Sequence, residues 1–125
     1  MAHSADFLYH YTTEEGKIGI LGDRKIKPSP QWTHYGMGVY FTSLRPRNNS
    51  ELLMDRLYNE SDEPQGTSPR LQWVIVISHE ELQRAGYRAE KVVDPNHPNI
   101  DIFCVKGQGG VDLNRLKFNV NPRPQ

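Results

Sequence analysis

The apolar run from Leu71 to Ile77 constrains the fold of this chain more than any other segment. The run is nearly continuous in apolar residues, which predicts a buried strand at the centre of a sheet. The other candidate strands are short and spread along the chain: Phe7–Tyr11, Lys25–Lys27, Gly38–Thr42, Tyr87–Val93, Ile100–Val105 and Leu116–Val120. The sheet is therefore expected to consist of many short strands around this central one.

Three helices are predicted between the strands. The first begins with the capping-box pattern Thr12-Thr13-Glu14-Glu15, turns Ile18, Ile20 and Leu21 towards the core, and ends at Gly22. The second covers Glu51–Tyr58, and the third runs from Ser78 to Gly86. This order of elements predicts an α+β fold with a mainly antiparallel sheet. A Rossmann fold is not expected, because the sequence has neither a G-x-G-x-x-G loop nor a Walker A loop.

The length of 125 residues fits one domain, 1–125, with segments 1–6 and 121–125 expected to be frayed. Only 36% of the residues are hydrophobic, so long polar loops are expected at Pro28–Gly38 and Asn59–Pro69. The glycine-rich stretch Gly107–Gly110 is expected to form a turn.

The charge balance and the cysteine content narrow the class of protein further. Fifteen basic residues balance fifteen acidic ones, which disfavours a nucleic-acid-binding module, since such modules usually carry a basic stripe. The single cysteine, Cys104, lies in an apolar run and is expected to be a buried thiol. No apolar stretch approaches the length of a membrane span, and a cytoplasmic or other intracellular location is expected for the chain as given. The five histidines are scattered, so no metal site is expected.

Two strand segments carry residues that a hydrophobic core alone does not require. In Tyr9-His10-Tyr11 the histidine faces the opposite side of the sheet from both tyrosines. In the second segment, Gly36 and Gly38 flank Tyr40 and would allow a ligand to approach the backbone closely. Taken alone, His10 is explained as a core histidine and Tyr40 as an ordinary strand aromatic.

Taken together, the two segments resemble a known superfamily. Leu8-Tyr9-His10-Tyr11-Thr12, followed about thirty residues later by Gly38-Val39-Tyr40-Phe41-Thr42, is similar to the NAD⁺-binding half of ADP-ribosyltransferases. The pattern resembles the branch with a histidine–tyrosine–acid triad, which includes diphtheria-toxin-like enzymes and poly(ADP-ribose) polymerases. The segment Asn99–Val105 has an aspartate, Asp101, where those enzymes usually have glutamate. The closest resemblance is to the toxin-like histidine–tyrosine–aspartate domains, and it implies an α+β fold of split, mainly antiparallel sheets.

The resemblance implies a role for each motif residue. Asp101 would hold the ribose 2′-hydroxyl and stabilise the oxocarbenium-like state, which needs no strong general acid because nicotinamide leaves as a neutral molecule. His10 would bind the adenosine-side ribose, the backbone of Tyr11 would bind the nicotinamide amide, and Tyr40 would stack on the nicotinamide ring. Thr12 and Ser43 would also lie against NAD⁺, and Tyr58 is the candidate for a second stacking aromatic, although its spacing is longer than in the polymerase branch. Those relatives have glycine where this chain has Tyr11, so its side chain must point away from the ligand.

Some assignments stay open at the level of sequence. Asp94, in Val93-Asp94-Pro95, and Asp112, after the glycine run, are alternatives to Asp101; the first is typical of a turn, and the second begins a strand or caps a turn. The loop residues Trp32, His34 and Tyr35 either cover the adenosine side or are simply exposed. Asp101 is preferred because it opens a strand that is predicted to be buried, and burying an acid costs free energy unless the acid has a function.

The expected activity is NAD⁺-dependent transfer of single ADP-ribose units to a protein or nucleic-acid acceptor. Polymer elongation is not expected, because an aspartate reaches less far than a glutamate. NAD⁺ glycohydrolysis, with water as the acceptor, uses the same residues and is the main alternative. A non-catalytic NAD⁺ or ADP-ribose binding module is a third possibility, disfavoured by the retained acid. An RNA 2′-phosphotransferase is a fourth, and it would need arginines and histidine where this chain has Tyr40 and Asp101.

Overall fold

The computed structural model describes residues 7–32, 36–44, 71–93, 95 and 101–122. Several predictions made from the sequence lie outside these residues: the helix Glu51–Tyr58 with Tyr58, the loop Asn59–Pro69, and the single residues His34, Tyr35 and Asp94. The backbone of Trp32 is described, but its side chain is not.

The described elements follow one another in this order: β1 (Phe7–Thr12), α1 (Glu14–Asp23), β2 (Lys25–Ile26), β3 (Ser29–Trp32), β4 (Gly36–Phe41), β5 (Trp73–Ser78), α2 (His79–Arg84), β6 (Ala89–Lys91), β7 (Phe103–Lys106), β8 (Val111–Asp112), a 3₁₀ helix (Leu113–Arg115) and β9 (Asn119–Pro122). Both described α-helices begin after a capping residue, because the hydroxyls of Thr13 and Ser78 accept hydrogen bonds from the Gly16 and Glu81 backbone N–H groups.

The strands form a three-stranded sheet in the order β1-β5-β9, a four-stranded sheet in the order β3-β4-β7-β6, and the short pair β2-β8. All of these described pairings are antiparallel. The apolar run from Leu71 to Ile77 supplies β5, and β5 lies between β1 and β9, as its composition predicts. The chain is therefore a small α+β domain of mainly antiparallel sheets, and the predicted fold class is confirmed.

The two larger sheets are joined where β1 meets the end of β4. The backbone N–H of Tyr9 donates to the carbonyl of Thr42 at 2.8 Å, and the N–H of Thr42 donates to the carbonyl of Tyr9 at 2.9 Å. This pair is an isolated bridge rather than part of a ladder. We call this pair the sheet joint.

Side chains on the two faces of the strands form two separate clusters. The first core cluster contains twelve buried residues: Leu8, Ile26, Val39, Phe41, Ile75, Ile77, Leu82, Ala85, Val105, Val111, Leu113 and Leu116. The second core cluster contains Tyr11, Tyr40, Leu71, Val74, Val92, Ile102 and Cys104. Because strand residues alternate in facing, Val39 and Phe41 enter the first cluster while Tyr40 enters the second. Burial raises the pKa of the Cys104 thiol, in agreement with the prediction of a buried cysteine.

The prediction of a loop over Pro28–Gly38 is wrong for most of this segment. Ser29–Trp32 forms β3, which pairs with β4 from Gly36 onwards. Pro30 argues against a strand in sequence terms, because proline has no N–H to donate to a ladder. β3 lies at the edge of the four-stranded sheet, where that missing donor is tolerated.

Other boundaries also differ from the sequence prediction. Helix α1 continues through Gly22 to Asp23 and ends at Arg24, which takes the left-handed conformation with φ of 55°. Ile18 faces solvent with 59% of its surface exposed, so it does not belong to the core. At the other end of the chain, Asn121 and Pro122 pair with β5 rather than fraying.

Gly38 lies where β4 approaches β7 closely, which explains the glycine in structural terms. A Cβ atom at this position would clash with the Sγ of Cys104 and lie 2.8 Å from the carbonyl oxygen of Val105. Gly38 is itself buried. The residue therefore admits the neighbouring strand, and the expectation that it admits a ligand is wrong. Gly36 needs glycine for a different reason, since its φ is +83°.

We predict that Gly38→Ala lowers the free energy of unfolding by about 1–3 kcal/mol, because the added methyl group forces β4 and β7 apart. The matched control is Gly19→Ala in the middle of α1, where no atom lies within 4 Å of the added Cβ. That change is expected to raise stability by about 0.5–1 kcal/mol. Urea denaturation of both variants checks the prediction, and equal midpoints for Gly38→Ala and the unaltered chain would contradict it.

Candidate functional site

His10 lies in β1, one residue beyond the sheet joint, and contacts β4 through its ring. Its Nδ1 lies 2.8 Å from the carbonyl oxygen of Tyr40, and its ring makes an edge contact with Phe41 at a centroid distance of 5.8 Å. Burial lowers the pKa of His10, and the bond to the Tyr40 carbonyl only partly offsets this effect. A carbonyl can only accept, so Nδ1 carries the hydrogen of the neutral ring and Nε2 is left as an acceptor.

The Tyr40 ring lies on the side of β4 opposite to the Phe41 ring that His10 contacts. The ring belongs to the second core cluster and is 5% exposed, and its hydroxyl donates to the carbonyl of Gly36 at 2.7 Å. Tyr11 enters the same cluster, and its hydroxyl donates to the carbonyl of Leu44 at 2.8 Å. His10 therefore contacts the backbone of Tyr40. The Tyr40 ring lies in the second core cluster together with Tyr11.

Asp101 is held at the end of β4 by a dense set of hydrogen bonds. Its Oδ1 accepts from the Thr42 hydroxyl at 3.2 Å, the Ser43 backbone N–H at 3.0 Å and the Ser43 hydroxyl at 2.9 Å. Its Oδ2 lies 2.8 Å from the same Ser43 hydroxyl. The predicted strand around Asp101 is shorter than expected, because β7 begins at Phe103 and the acid lies two residues before it. The Asp101 side chain is 23% exposed, so it is partly open to solvent.

Of the two alternative acids, Asp112 lies within the described residues and Asp94 does not. Asp112 ends β8 and caps the 3₁₀ helix, since its carboxylate accepts from the backbone N–H of Asn114 at 2.9 Å. The observed cap agrees with the prediction that Asp112 caps a turn. It gives Asp112 a structural role. Asp94 lies outside the described residues.

The sheet joint brings the predicted residues to one region of the molecule. His10 follows Tyr9 on β1, and Asp101 is bonded to Thr42 and Ser43 on the other side of the joint. Ser43, which was expected to contact NAD⁺, is the main hydrogen-bond donor to the Asp101 carboxylate. Thr12 ends β1, opposite Trp73 and against the first turn of α1. Tyr58 lies outside the described residues.

Sequence reasoning missed two residues of this region. Thr42 is fully buried, and its hydroxyl both donates to Asp101 and accepts from the backbone N–H of Leu44 at 3.1 Å. The adjacent hydroxyls of Thr42 and Ser43 at a strand end were the available signal, since such pairs readily hold a carboxylate. Lys91 places its Nζ 3.8 Å from Asp101 Oδ1, and nothing in the sequence indicates this because it depends on the register of β6 and β7.

Three further features of the described residues bear on function. A cavity of about 470 Å³ lies between α2 and β6, and its lining contains none of the predicted site residues. In the ranges that the structure describes, no three His, Cys, Asp or Glu side chains are grouped so that they could hold a metal ion. No helix in the same ranges has the length and apolar character needed to cross a membrane.

We predict that His10 makes stability depend on pH. The folded state lowers the pKa of this group below its usual value of 6.5, so the unfolded chain binds the proton more tightly. The contribution of His10 is therefore complete above pH 6.5 and is lost as the pH falls through the lower pKa of the folded state. Urea denaturation at pH 8 and pH 5 is expected to show a smaller loss of stability for His10→Gln than for the unaltered chain. An equal or larger loss for His10→Gln would contradict the prediction.

With this geometry established, comparison with known proteins identifies the family. No curated protein and no solved structure matches the chain. The family model described as "HYD1 signature containing ADP-ribosyltransferase" matches residues 8–121, which include both sheets and the candidate site. The match covers most of the chain and agrees with the superfamily that the two early motifs resemble. The chain belongs to this toxin-type ADP-ribosyltransferase family, Tox-ART-HYD1.

Proposed function

We propose that this domain cleaves the nicotinamide–ribose bond of NAD⁺ and transfers the ADP-ribose unit to a macromolecular acceptor. The family supports ADP-ribosyl transfer in general, and ADP-ribosyltransferases as a class take the ADP-ribose unit from NAD⁺. The observation that carries the proposal for this chain is the Asp101 carboxylate, fixed by Thr42 and Ser43 at the sheet joint, whose other strand carries His10.

The arrangement of bonds on Asp101 supports its proposed role. Oδ1 accepts from three donors, whereas Oδ2 shares only the Ser43 hydroxyl among the described residues. A carboxylate oxygen has about two lone-pair sites, so Oδ2 keeps the capacity to accept a ribose hydroxyl. Because Ser43 fixes the group in advance, its negative charge can stabilise an oxocarbenium-like state without rearrangement.

The protonation state of His10 supports a binding role rather than acid catalysis. The imidazole is neutral because burial lowers its pKa, and its Nδ1–H is used by the Tyr40 carbonyl. Nε2 is then an acceptor, so it can accept a hydrogen bond from a ribose hydroxyl. A neutral histidine also places no positive charge near the region where the reaction develops one.

The strand geometry supports the proposed backbone contact of Tyr11. In an antiparallel strand the N–H and C=O groups of alternate residues point to the same edge. Those of Tyr9 point to β4, where they bond to Thr42. The N–H and C=O of Tyr11, two residues further on, therefore point to the same edge of β1 as those of Tyr9. A carboxamide bound along this edge would lie beside the Tyr11 peptide group.

The proposed stacking of Tyr40 on nicotinamide sets a condition on the structure. The ring is buried in the second core cluster, and its hydroxyl is held by the Gly36 carbonyl. Stacking therefore requires the part of this cluster that covers the ring to open when NAD⁺ binds. The hydroxyl bond to Gly36 anchors the far end of the ring, so its long axis is set before NAD⁺ binds.

We predict that Asp101→Asn leaves NAD⁺ bound but lowers the rate of nicotinamide release by about 10²–10³-fold, the usual loss when one preorganised electrostatic group is removed. Isothermal titration measures binding, and release is followed with and without cell lysate. Asp112→Asn is the matched control, because asparagine caps a helix as well as aspartate does. A fully active Asp101→Asn beside an inactive Asp112→Asn would contradict the assignment. Binding without release by the unaltered chain would indicate a binding module, and release that yields only free ADP-ribose would indicate a glycohydrolase.

We also predict that Ser43→Ala lowers the same rate by about tenfold, since one unanchored carboxylate oxygen corresponds to a misplaced catalytic group. The hydroxyl bonds to both oxygens of Asp101, while the backbone N–H of Ser43 remains in the variant. The rate is measured at saturating NAD⁺, and Ser29→Ala, an exposed position on the edge strand, is the control. Unchanged turnover in Ser43→Ala would show that the hydroxyl is not needed to orient Asp101.

Tyr40→Leu tests the stacking role while keeping an apolar side chain in the second core cluster. Alanine is unsuitable, because deleting a buried aromatic ring costs about 3–5 kcal/mol of stability. Loss of the ring is expected to weaken NAD⁺ binding by about 5- to 150-fold, corresponding to the roughly 1–3 kcal/mol of aromatic stacking. Retained NAD⁺ affinity in a folded Tyr40→Leu variant would show that the ring is a core residue only.

A further inference from the structure

The side chain of Tyr11 connects β1 to the segment that holds Asp101. Its ring is buried in the second core cluster, with 7% of the residue exposed. Its hydroxyl donates to the carbonyl oxygen of Leu44 at 2.8 Å, although the two residues are 33 positions apart in the chain. Leu44 directly follows Thr42 and Ser43, which donate the hydrogen bonds to the Asp101 carboxylate. The Tyr11 hydroxyl therefore fastens the chain immediately after these donors.

The segment 42–44 lies beyond the end of β4, so bonds outside a strand ladder have to fix it. β4 ends at Phe41, and the backbone of Thr42 is held by its two bonds to Tyr9 in the sheet joint. The Leu44 N–H donates to the Thr42 hydroxyl at 3.1 Å, which is a bond within the segment itself. The bond from Tyr11 then ties Leu44 to β1. β1 therefore holds the segment on both sides of the residue that carries Asp101.

The second core cluster does not require the hydroxyl of Tyr11. A phenylalanine ring would bury the same apolar surface and would need no polar partner, whereas a buried phenol has to find one. A single neutral hydrogen bond also contributes little net stability. Relatives of the polymerase branch have glycine at this position and cannot make the contact. The hydroxyl is thus a feature of this chain that the packing of its core leaves unexplained.

We propose that the Tyr11 hydroxyl is a positioning group for the cleavage step, because it fixes Ser43 and, through Ser43, the Asp101 carboxylate. This inference rests on the proposed cleavage of NAD⁺. In that function the Tyr11 backbone binds the nicotinamide amide and Asp101 holds the ribose hydroxyl, so the breaking C1–N bond lies between the two. One residue of β1 then binds the leaving group through its backbone and sets the position of the carboxylate through its side chain.

The position of the carboxylate matters more for the chemical step than for binding. In bound NAD⁺ the positive charge lies on the nicotinamide ring, and it develops on the ribose as the C1–N bond breaks and the electron pair leaves with nicotinamide. A carboxylate that is displaced from the ribose stabilises this later state less, while most contacts of the bound substrate are kept. Loss of the Tyr11 hydroxyl is therefore expected to lower the maximal rate without weakening NAD⁺ binding.

Tyr11→Phe tests the proposal, since it removes the hydroxyl and keeps the ring. We expect the maximal rate of nicotinamide release to fall about three- to tenfold, while the Kd for NAD⁺ from isothermal titration changes less than about twofold. Tyr9→Phe is the matched control, because Tyr9 is a partly exposed tyrosine on the same face of β1 and its hydroxyl makes no hydrogen bond among the described residues. Circular dichroism checks that both variants are folded. An unchanged rate in Tyr11→Phe, or an equal loss in Tyr9→Phe, would overturn the proposal.

A double variant separates positioning from a purely structural role. If Tyr11 acts through Asp101, Tyr11→Phe is expected to cause less than about a twofold further loss of rate in the Asp101→Asn background, because the group that it positions is already gone. A loss in that background as large as in the unaltered chain would show that the hydroxyl acts by another route and would overturn the proposal.

Amide hydrogen exchange tests the contact without any assay of activity. The N–H groups of Ser43 and Leu44 are bonded to Asp101 and Thr42. In Tyr11→Phe both are expected to exchange about fivefold faster, as the loss of one hydrogen bond implies, while the N–H groups of the sheet joint are unaffected. Unchanged exchange at both positions would overturn the proposal. An absence of nicotinamide release by the unaltered chain would instead refute the proposed function.

Discussion

The two backbone hydrogen bonds between Tyr9 and Thr42 are the constraint on which the site depends. They join two antiparallel sheets through an isolated pair of residues. The joint also fixes where the candidate site residues lie, because His10 follows one member of the joint and Ser43 follows the other.

The parts of the fold that follow from local chemistry could be predicted from the sequence. β5 is apolar because it lies between two other strands, and Ser78 caps α2 because its hydroxyl reaches a backbone N–H three residues later. Features that depend on the position of a segment in the sheet could not be predicted. Pro30 is compatible with β3 only because β3 is an edge strand, and an edge is a property of the whole sheet. Arg24 takes the left-handed conformation that glycine usually supplies, so the end of α1 has no local signal.

The same distinction applies to the candidate site. His10, Tyr40 and Asp101 belong to motifs that resemble a known superfamily, and the facing of His10 follows from strand periodicity. The contact between His10 and the Tyr40 carbonyl, rather than its ring, depends on how the two sheets approach each other. Lys91 reaches Asp101 only through the pairing of β6 with β7. Neither contact has a sequence signal, since each joins segments whose distance along the chain carries no information about register.

Thr42 shows how the fold and the site share the same atoms. Its backbone closes the sheet joint, while its buried hydroxyl donates to Asp101 and accepts from the Leu44 N–H. A buried hydroxyl is costly unless it is hydrogen-bonded, and here it bonds to groups on both sides. The position of the carboxylate is thus tied to the position of the joint, and any shift of β4 relative to β1 would move Asp101 as well. Since His10 is also bonded to β4, the two sides of the site keep their spacing for the same reason that the two sheets stay together.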